Sequence, residues 1–495
     1  MRGNNNRKVG EIVKKLMNNP NISHRLDKLD ALDAWEYIIG TQLCKYITEQ
    51  KIHKVIQQGV DVLRLNFSHG SMEDHQNVIK WAKSSKINVA VMQDIQGPKI
   101  RTGLSEETTV LKKSKKIVIT NEECVSNDKT IFINYKDLIN DINVEDRIFI
   151  DDGQVVLKVV KKNKNSLEAL ILIGGELRDN QGVAFPDSNL SVSAITPKDV
   201  DDLKFGSNND VDFVAVSFVR NADDIKTVKE LIPKDIKVIA KIELKIALDN
   251  IEEILEVADG VMVARGDLGV QLPIEQVPFI QKQILNAANS RGKISITATE
   301  MLQSMKTSYR PTRAEVTDIT NAILEGSDAV MLSAETSIGE HPNRAVEVMS
   351  TICSETDARN DTSTLSFKES SSIDELTTTL ARAAVQVAND IDARAIVAFT
   401  ETGRTPLLIS NFRPKSSIVT FTSKSKTYNQ MSMLWGVEQY KIDRKNTFEE
   451  MLSDANDFLI NEKKYSKGDK VVVVAGTPPN VEAATNLIRV HRIGE

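Results

Sequence analysis

The chain has 495 residues, of which 41% are hydrophobic and 27% charged, and its formal net charge is -6. This composition is ordinary for a soluble globular protein of about three domains. The slight acidity argues against a protein that coats nucleic acid, which needs a basic face. Three cysteines are too few for a disulfide framework or a four-cysteine zinc site. No apolar run approaches the roughly 18 residues that span a bilayer, so we expect a cytoplasmic protein without membrane contact.

Residues 1–35 precede the first predicted element and are interpreted as an N-terminal extension. Residues 1–20 contain five basic side chains and one acidic side chain, Glu11. They lack the apolar block of a secretory signal. A solvated extension is the preferred interpretation, and an organelle transit peptide is the alternative.

Short apolar runs that end in polar residues alternate with helix-like segments between residues 60 and 335. Such strands, joined by helices, predict a parallel sheet that is covered on both faces. The runs are VDVLRLNFS (60–68), INVAVMQD (87–94), VDFVAVSF (211–218), IKVIAKIE (236–243), DGVMVARGD (259–267), KISITATE (293–300) and SDAVMLSAE (327–335). A weaker candidate at Glu36–Gly40 makes eight, which favours a (β/α)8 TIM barrel over 36–100 and 188–355. A doubly wound sheet would normally show a glycine-rich phosphate turn after its first strand, and none is visible.

One predicted helix of this region has clear signals at both ends. Thr312 and Glu315 have the spacing of a capping box, and Pro311 precedes them. Gly326 stands where a C-terminal cap is expected. The sequence therefore predicts a helix between these two signals.

The pattern changes between residues 101 and 187, where β-like runs alternate with turn residues and no amphipathic helix intervenes. The runs predict a small all-β domain, inserted after the third barrel strand. The Ser/Thr-rich stretch within 356–372 is interpreted as a linker. Residues 373–495 combine a helix at Leu376–Ala388 with strands at 393–400, 417–421 and 470–476. This combination predicts a separate, open α/β domain.

Charged and polar side chains follow the predicted barrel strands at their carboxyl ends, where a barrel carries its chemistry. They are Arg64, Asn66 and Ser68 on one face of a strand, Lys241 and Glu243 on one face of another, and Asp94, Asp267 and Glu335 at the ends of further runs. For any single residue of this set, the alternative explanation is that strand ends are often charged simply because they meet water. Because several strands end in this way on one rim, the set predicts an active site.

The residue types on this rim suit phosphoryl chemistry. Glu243 and Asp267 offer carboxylate oxygens, which are suitable ligands for Mg²⁺ or Mn²⁺. Arg64 and Lys241 offer cations for a phosphoryl group. Gly266 lets the backbone approach a ligand closely, so that its N–H can hold a carboxylate. The residues alone therefore predict a metal-dependent barrel enzyme that acts on a small phosphorylated acid.

Several long motifs make the resemblance to a family specific. They are LRLNFSHG (63–70), DIQGPKIRTG (94–103), VIAKIE (238–243), MVARGDLGV (262–270), ATEMLQSM (298–305), RPTRAEVTDITNAILEGSDAVMLSAET (310–336) and TETGRT (400–405). Together they resemble pyruvate kinases, in the same order along the chain, over roughly residues 50–495. The resemblance implies transfer of a phosphoryl group from phosphoenolpyruvate to ADP, giving pyruvate and ATP in the last step of glycolysis. It also implies a mobile lid at 101–187, a regulatory C-terminal domain and a homotetramer.

The resemblance gives each rim residue an expected role. Arg64 and Lys241 would stabilise charge on the transferring phosphoryl group, and Glu243 and Asp267 would hold Mg²⁺. The remaining expected roles are a carboxylate site at the amides of Gly266 and Asp267, a hydroxyl near the enolate carbon at Thr299, and nucleotide phosphate binding by Arg101.

Lys99 departs from a common feature of the family. Many members have Glu at this position and need K⁺, which is held partly by the counterparts of Asn66, Ser68 and Asp94. A lysine ammonium near that place would supply the positive charge internally. We therefore predict activity that does not depend on K⁺; a solvated surface lysine is the alternative.

The resemblance also points to an effector site in the C-terminal domain. Thr400, Thr402, Gly403, Arg404 and Thr405 would form a phosphate-binding loop for a phosphosugar through hydroxyl groups and backbone amides. The segment at 477–486 lacks the glycines of the fructose-1,6-bisphosphate loop, so the ligand is not defined by the sequence. A purely structural turn is the alternative.

Three further departures bear on the nucleotide and substrate sites. The segment IIGTQLCKYITEQ (38–50) lacks the proline of the usual nucleotide turn, Gln181 replaces a lysine of the inserted domain, and Glu300 replaces a glutamine. Two alternatives therefore stay open. One is a non-catalytic subunit that binds effectors or serves as a scaffold. The other is a metal-dependent aldolase or lyase that acts on a pyruvate enolate.

Overall fold

The computed structural model describes residues 48–106, 109–359, 375–463, 465–479 and 485–495. The predicted extension at 1–35, the strand candidate Glu36–Gly40, most of the segment 38–50 and most of the predicted linker lie outside these ranges. Within them, no helix has the length and hydropathy needed to cross a membrane.

A parallel sheet of seven strands is the largest in the described part of the chain, and its spatial order follows the order in the sequence. The strands are Val62–Asn66, Ala90–Asp94, Phe213–Val216, Lys237–Ile242, Gly260–Ala264, Ile294–Ala298 and Ala329–Val330. Seven of the eight predicted strands are thus observed; the last is shorter than its run, with only two residues. The sheet is buried because both of its faces carry apolar side chains, and Ala90–Asp94 and Gly260–Ala264 are buried at every position.

Helices precede, connect and follow these strands. They are Glu49–Gln57, Met72–Ser84, Pro197–Asn208, Ala222–Leu231, Lys245–Asp249, Ile251–Val257, Arg265–Gln271, Val277–Asn289, Arg313–Leu324, Ala334–Ser337 and Pro342–Arg359, with 3-10 turns at Ile274–Gln276 and Gln303–Lys306. The predicted capping box is present: Thr312 Oγ1 accepts from Glu315 N, and the Glu315 carboxylate accepts from Thr312 N. Gly326 follows this helix with φ +101°, a backbone conformation that favours glycine.

Three aspartates recur at the amino ends of the barrel strands. Asp212, Asp259 and Asp328 each precede a strand, and each accepts a hydrogen bond from a backbone N–H of the neighbouring strand. The bonds are Val91 N to Asp212 (2.8 Å), Val238 N to Asp259 (2.8 Å) and Ser295 N to Asp328 (2.9 Å). We call these three residues the base aspartates. They join neighbouring strands at the end of the barrel opposite the rim.

The inserted segment forms a mixed sheet of six strands around its own core. The strands are Lys116–Thr120, Thr130–Phe132, Arg147–Ile150, Val155–Lys162, Leu167–Ile173 and Val183–Ala184. One helical turn of four residues, Leu138–Asp141, lies among these strands. The turn is too short to show helical periodicity in the sequence.

The C-terminal region forms a sheet of five strands with helices packed against it. In sheet order the strands are Val437–Lys441, Ser417–Thr422, Ala395–Phe399, Lys470–Ala475 and Leu487–Arg492, and the last is antiparallel. The helices are Glu375–Asp390, Arg404–Asn411, Ser425–Gln430 and Phe448–Asn461, with a 3-10 turn at Met431–Met433. The two edge strands were not predicted, because they are partly exposed and their sequences are mixed.

The C-terminal domain contacts two of the base aspartates, Asp212 and Asp328, directly. Arg413 Nη2 donates to Asp328 Oδ1 at 2.9 Å, and both side chains are buried. Asn429 Nδ2 donates to Asp212 Oδ1 at 3.2 Å, and Gln430 Nε2 donates to the Asp212 carbonyl at 3.1 Å. Two of the three aspartates that join the barrel strands therefore also hold the C-terminal domain.

Candidate active site

Four of the predicted rim residues form one connected network at the carboxyl ends of the barrel strands. Arg64 Nε lies 2.6 Å from Asp94 Oδ2. Lys241 Nζ lies 2.8 Å from Glu243 Oε1 and 3.3 Å from Asp94 Oδ1. The first two strands are parallel and in register, with Arg64 opposite Met92 and Asn66 opposite Asp94. The side chains at their carboxyl ends therefore lie at the same end of the sheet.

Ser217 completes this network and was not singled out from the sequence. Its hydroxyl accepts from Lys241 Nζ at 2.7 Å and lies 3.3 Å from Asp94 Oδ1 and 2.8 Å from the Ile95 carbonyl. Its strand was predicted, and the alternation of side chains along VDFVAVSF was the available signal. A serine among charged residues carries no charge signal of its own, so the sequence did not distinguish it.

The network favours the charged forms of Asp94 and Lys241. Burial opposes ionisation of Asp94, but Arg64 and Lys241 outweigh it and lower the pKa of Asp94. Burial would also lower the pKa of Lys241, yet the carboxylates of Asp94 and Glu243 raise it above its ordinary value. A protonated Lys241 and a partly exposed Arg64 therefore face the rim.

Glu243 and Asp267 are the carboxylates that fit a divalent cation. Glu243 Oε2 accepts from Phe218 N at 2.7 Å, and its other oxygen accepts from Lys241, which fixes the carboxylate orientation. Asp267 lies in the first turn of helix Arg265–Gln271, not at the end of the strand as predicted. Burial, with the nearby charges of Glu243 and Asp152, raises the pKa of Asp267 to about 7. A cation between the two carboxylates would relieve this repulsion.

No group of three or more metal-ligating side chains occurs among the described residues. Two carboxylates leave most of an octahedral coordination shell to water and substrate oxygens. Mg²⁺ is bound in this way in many phosphoryl-transfer sites. The residues present therefore fit Mg²⁺.

Thr299 is held in a strained conformation beside this pair. Its φ is +67°, and that of Glu300 is +56°, in the left-handed region that non-glycine residues rarely adopt. Thr299 Oγ1 accepts from Gly266 N at 2.8 Å, and Arg265 Nη2 donates to the Thr299 carbonyl at 2.6 Å. The amide predicted to bind a substrate carboxylate is thus bonded to Thr299, and a bound ligand would replace that bond.

The predicted monovalent-cation residues are only partly brought together. Ser68 N donates to Asn66 Oδ1 at 3.1 Å, beside Asp94. Lys99 is half-buried, and burial together with Arg101, Lys198 and Lys241 lowers its pKa to about 8, with Asp94 acting in the opposite direction. Lys99 therefore lies within the electrostatic field of this site, although no hydrogen bond joins it to Asp94.

Three other candidates lie away from the rim network. Arg101 stands where the barrel meets the inserted domain, and its Nη1 donates to the Asn180 carbonyl at 2.6 Å. Gln181 is buried and accepts from Arg178 N at 2.8 Å, so it has a structural role within the inserted domain. Glu335 lies in helix Ala334–Ser337 rather than at a strand end, and accepts from Leu302 N and Ser333 N.

The predicted phosphate-binding loop lies on the C-terminal domain, at the opposite end of the barrel. Its hydroxyl groups have partners within the described residues. Thr400 Oγ1 accepts from Gly403 N at 2.9 Å, Thr402 Oγ1 accepts weakly from Arg404 N at 3.4 Å, and Thr405 Oγ1 pairs with Thr485 at 2.6 Å. These bonds are those of a well-formed turn, and effector binding there stays a prediction.

Comparisons with known proteins agree with the architecture of this chain. The family model described as pyruvate kinase, barrel domain, matches residues 36–346, and the one described as pyruvate kinase, alpha/beta domain, matches residues 378–491. The pyruvate kinase of Staphylococcus epidermidis is 37% identical over 459 residues, and that of Geobacillus stearothermophilus is 39% identical over 457 residues. Each alignment covers 90% of this chain and 78% of the relative.

A solved structure gives the same result. The crystal structure of a pyruvate kinase from Cryptosporidium parvum superposes with a TM-score of 0.84 at 33% identity, over 90% of this chain and 93% of that one. The predicted fold class is therefore confirmed: a barrel-type parallel sheet, an inserted β domain and a C-terminal α/β domain.

Proposed function

The chain belongs to the pyruvate kinase family, and we propose that it catalyses the family reaction without a monovalent cation. The enzyme transfers the phosphoryl group of phosphoenolpyruvate to ADP. This assignment replaces the alternatives of an aldolase, a lyase and a non-catalytic subunit.

Arg64 and Lys241 are proposed to bind the phosphoryl group. Both are cations on the rim, and both are oriented by the same buried carboxylate, Asp94. Fixed cations stabilise the negative charge of a phosphoryl group in flight without reorganising at the moment of transfer. Lys241 would give up one of its present oxygen partners to reach the substrate.

Glu243 and Asp267 are proposed to hold Mg²⁺. When bound, the ion would neutralise the charge of phosphoryl and enolate oxygens. Glu243 is already oriented by Lys241 and by Phe218 N, so it would need little rearrangement. Thr299 is proposed to present its hydroxyl to the enolate carbon, and Arg265, which bonds the Thr299 carbonyl, would fix its position.

The position and surroundings of Lys99 support the proposal on K⁺. Its side chain is half-buried and interacts with the charge of Asp94, the carboxylate that also anchors Arg64 and Lys241. A solvated surface lysine is not expected to be partly buried among other cations, because such surroundings disfavour its charged form and lower its pKa. We therefore propose that the Lys99 ammonium supplies the charge that K⁺ supplies in other members.

The test is ATP formation from phosphoenolpyruvate, ADP and Mg²⁺ in buffer free of K⁺, coupled to pyruvate reduction. Robust turnover is expected, with less than a twofold increase on adding K⁺. Lys99→Glu should need K⁺ for activity. Lys86→Glu, a charge reversal at an exposed lysine, serves as the control and should keep K⁺-independent turnover. Strong activation of the unaltered enzyme by K⁺, or full K⁺-free activity of Lys99→Glu, would contradict the role of Lys99.

We also propose that copies of this chain associate as a homotetramer. Ile274 and Phe279 are 67% and 77% exposed on neighbouring turns at the outer side of the barrel. Large apolar side chains this exposed are typical of surfaces that contact another protein. Light scattering after size-exclusion chromatography should give four chains per particle, and Phe279→Glu should give smaller particles. A monomeric unaltered protein would refute this proposal.

A further inference from the structure

The chain leaves the inserted domain through residues 185–195, which form neither helix nor strand. Three of them, residues 190–192, are held from two sides, and we call them the exit junction. On the side of the inserted domain, the Asp141 carboxylate accepts from Ser191 N at 2.7 Å and from Ser191 Oγ at 2.9 Å. The two flanking side chains pack against the core of that domain. The exit junction therefore belongs to the inserted domain.

Arg220, four residues after strand Phe213–Val216, holds the exit junction from the side of the barrel. Its Nη1 donates to the Val192 carbonyl at 2.6 Å and to the Leu190 carbonyl at 3.2 Å. Its Nε and Nη2 donate to the Asp224 carboxylate at 3.2 Å and 2.9 Å, which fixes the direction of the guanidinium. Arginine suits this task because its planar fork has donors for a carboxylate and for carbonyl groups at the same time.

The segment Ser217–Arg220, which we call the coupling segment, also contacts the catalytic rim. Ser217 Oγ accepts from Lys241 Nζ at 2.7 Å. Phe218 N donates to Glu243 Oε2 at 2.7 Å. One short stretch of backbone thus contacts a proposed phosphoryl-binding cation, a proposed metal ligand and the exit from the inserted domain.

The coupling segment is strained at Phe218, whose φ of +55° lies in the left-handed region that bulky residues rarely adopt. Its ring lies beside Gly97, at the entry to the inserted domain, since a Cβ added to Gly97 would lie 3.0 Å from Phe218 Cδ2. Such strain persists only where the surroundings hold it. Here Glu243 holds Phe218 N, and Asn250 Nδ2 donates to the Arg220 carbonyl at 2.9 Å. A shift at either crossing between the domains therefore acts on the residue that orients Glu243.

We propose that Arg220 is a positioning residue that couples the placement of the inserted domain to the orientation of Glu243. With the exit junction bound to Arg220, the coupling segment holds the Phe218 N–H toward Glu243, and a shift of the junction weakens that hold. Binding of a divalent cation at Glu243 and binding of the exit junction by Arg220 should therefore favour each other. The inference rests on the proposed role of Glu243 as a Mg²⁺ ligand, and it adds a route by which the inserted domain acts on that site.

This coupling would serve the proposed phosphoryl transfer. A metal site that is completed only when the inserted domain is in place would activate the substrate only after water has been excluded. The phosphoryl group would then pass to the nucleotide and not to water.

The test measures both ends of the coupling in the full chain. Mn²⁺ is the probe, and the EPR signal of the free ion gives its dissociation constant without turnover. Backbone hydrogen exchange, followed by peptide mass spectrometry, reports on the exit junction. In the unaltered protein, Mn²⁺ should slow exchange there about fivefold, at the lower end of the usual coupling between two sites. Strand Leu167–Ile173, in the core of the inserted domain, is the internal control and should exchange at an unchanged rate.

Arg220→Gln should speed exchange at the exit junction and raise the Mn²⁺ dissociation constant about fivefold. The glutamine keeps a donor for Asp224 but is too short to reach the two carbonyl groups as well. Arg359→Gln is the matched control, because Arg359 is an exposed arginine that pairs with Glu355 four residues earlier. The control variant should change neither measurement.

Three outcomes would overturn the proposal. Faster exchange at the exit junction with unchanged Mn²⁺ binding would make Arg220 a purely structural anchor, and weaker Mn²⁺ binding with unchanged exchange would make its effect local to the rim. Exchange that Mn²⁺ does not alter in the unaltered protein would overturn the proposal even where a variant fails to fold. Glu243→Gln identifies a failure of the proposed function instead: Mn²⁺ binding that is unchanged in this variant would contradict the metal site and, with it, this inference.

Discussion

Lys241 shows how one buried side chain can be both stable and reactive. Its ammonium has three N–H donors, and three oxygen atoms surround it: Ser217 Oγ, Glu243 Oε1 and Asp94 Oδ1. The cation is thus fully satisfied without substrate, which offsets the cost of burying a charge. Binding of a phosphoryl oxygen exchanges one of these partners for another, so the charge does not have to be desolvated again.

Lys241→Gln removes this charge while nearly preserving the length of the side chain. We expect kcat to fall by about 10²- to 10³-fold, the usual effect of losing one preorganised group that stabilises transition-state charge. The KM for phosphoenolpyruvate should change much less. The coupled assay measures both constants, and Lys245→Gln, at an exposed lysine four residues on, is the control. A kcat within fivefold of the unaltered enzyme would exclude Lys241 from the chemical step.

The pH dependence of K⁺-free activity follows from Lys99. Its pKa is lowered to about 8, so its ammonium is charged below that pH and loses its proton as the pH rises through it. If the charge of Lys99 replaces K⁺, K⁺-free activity should decline between about pH 7.5 and 9, and added K⁺ should restore part of it. Turnover measured across this range with and without K⁺ checks the prediction. Profiles that coincide at every pH would show that titration of Lys99 does not limit the rate.

At the scale of elements, the turn after strand Ala90–Asp94 links the rim to the inserted domain. Gly97 has φ +65°, its N–H donates to Asp199 Oδ1 at 3.0 Å, and an added Cβ would lie 3.0 Å from Phe218 Cδ2. Phe218 N holds Glu243. A displacement of this turn would therefore be transmitted to Glu243, a proposed metal ligand, and to the domain that follows.

Gly97→Ala should destabilise the fold by about 1–2 kcal/mol, the cost of a left-handed conformation in a residue with a Cβ. It should also raise the Mg²⁺ concentration needed for half-maximal activity. Gly182→Ala is a matched control, since its added Cβ would meet nothing within 4 Å. Urea unfolding and Mg²⁺ titrations of both variants provide the measurements. Equal stability of the two variants would show that the turn tolerates a side chain.

How far the sequence predicts each element depends on its burial. The inner strands of the barrel were found because both faces are covered, which makes runs such as VDFVAVSF almost wholly apolar. The edge strands Val437–Lys441 and Leu487–Arg492 were missed because their exposed sides carry charged residues. Periodicity reports burial, and an edge strand is only half-buried.

The candidate site shows the same limit. Arg64, Lys241 and Glu243 were predicted from their charge at strand ends, and the structure joins them. Ser217 was missed because a hydroxyl gives no such signal, and Asp267 was placed on a strand although the helix begins directly after Ala264. Thr299 was found only through the resemblance, because a lone threonine gives no charge signal and its left-handed backbone is not apparent from the sequence.

At the scale of the whole molecule, the contact between the barrel and the C-terminal domain includes a buried ion pair. Arg413 and Asp328 are 2% and 0% exposed at the side chain, and Arg413 also donates to the Gly326 carbonyl and lies over the Trp435 ring. Asp328 holds Ser295 N in turn. The pair therefore connects the C-terminal domain to the strand that leads to Thr299.

Arg413→Met should destabilise the protein by about 3–5 kcal/mol, because Asp328 would be left as a buried charge without its partner. Adding Asp328→Asn should recover part of this loss, since the double variant has no isolated charge. Urea unfolding of both variants and of the unaltered protein makes the comparison. A double variant less stable than Arg413→Met would show that the strand contact of Asp328 outweighs its charge.

The base aspartates have a consequence for how the protein is made. A ribosome releases the barrel strands first, and Asp212 and Asp328 can bond their neighbouring strands as soon as those emerge. Their second partners, Arg413, Asn429 and Gln430, are translated some 85 to 218 residues later. During that interval the carboxylates at the base of the nascent barrel, which are buried in the finished protein, still face water. The last domain covers these carboxylates once it has been translated. A chain that is cut short before Arg413 would keep them exposed, and the cell's quality control would recognise it by them.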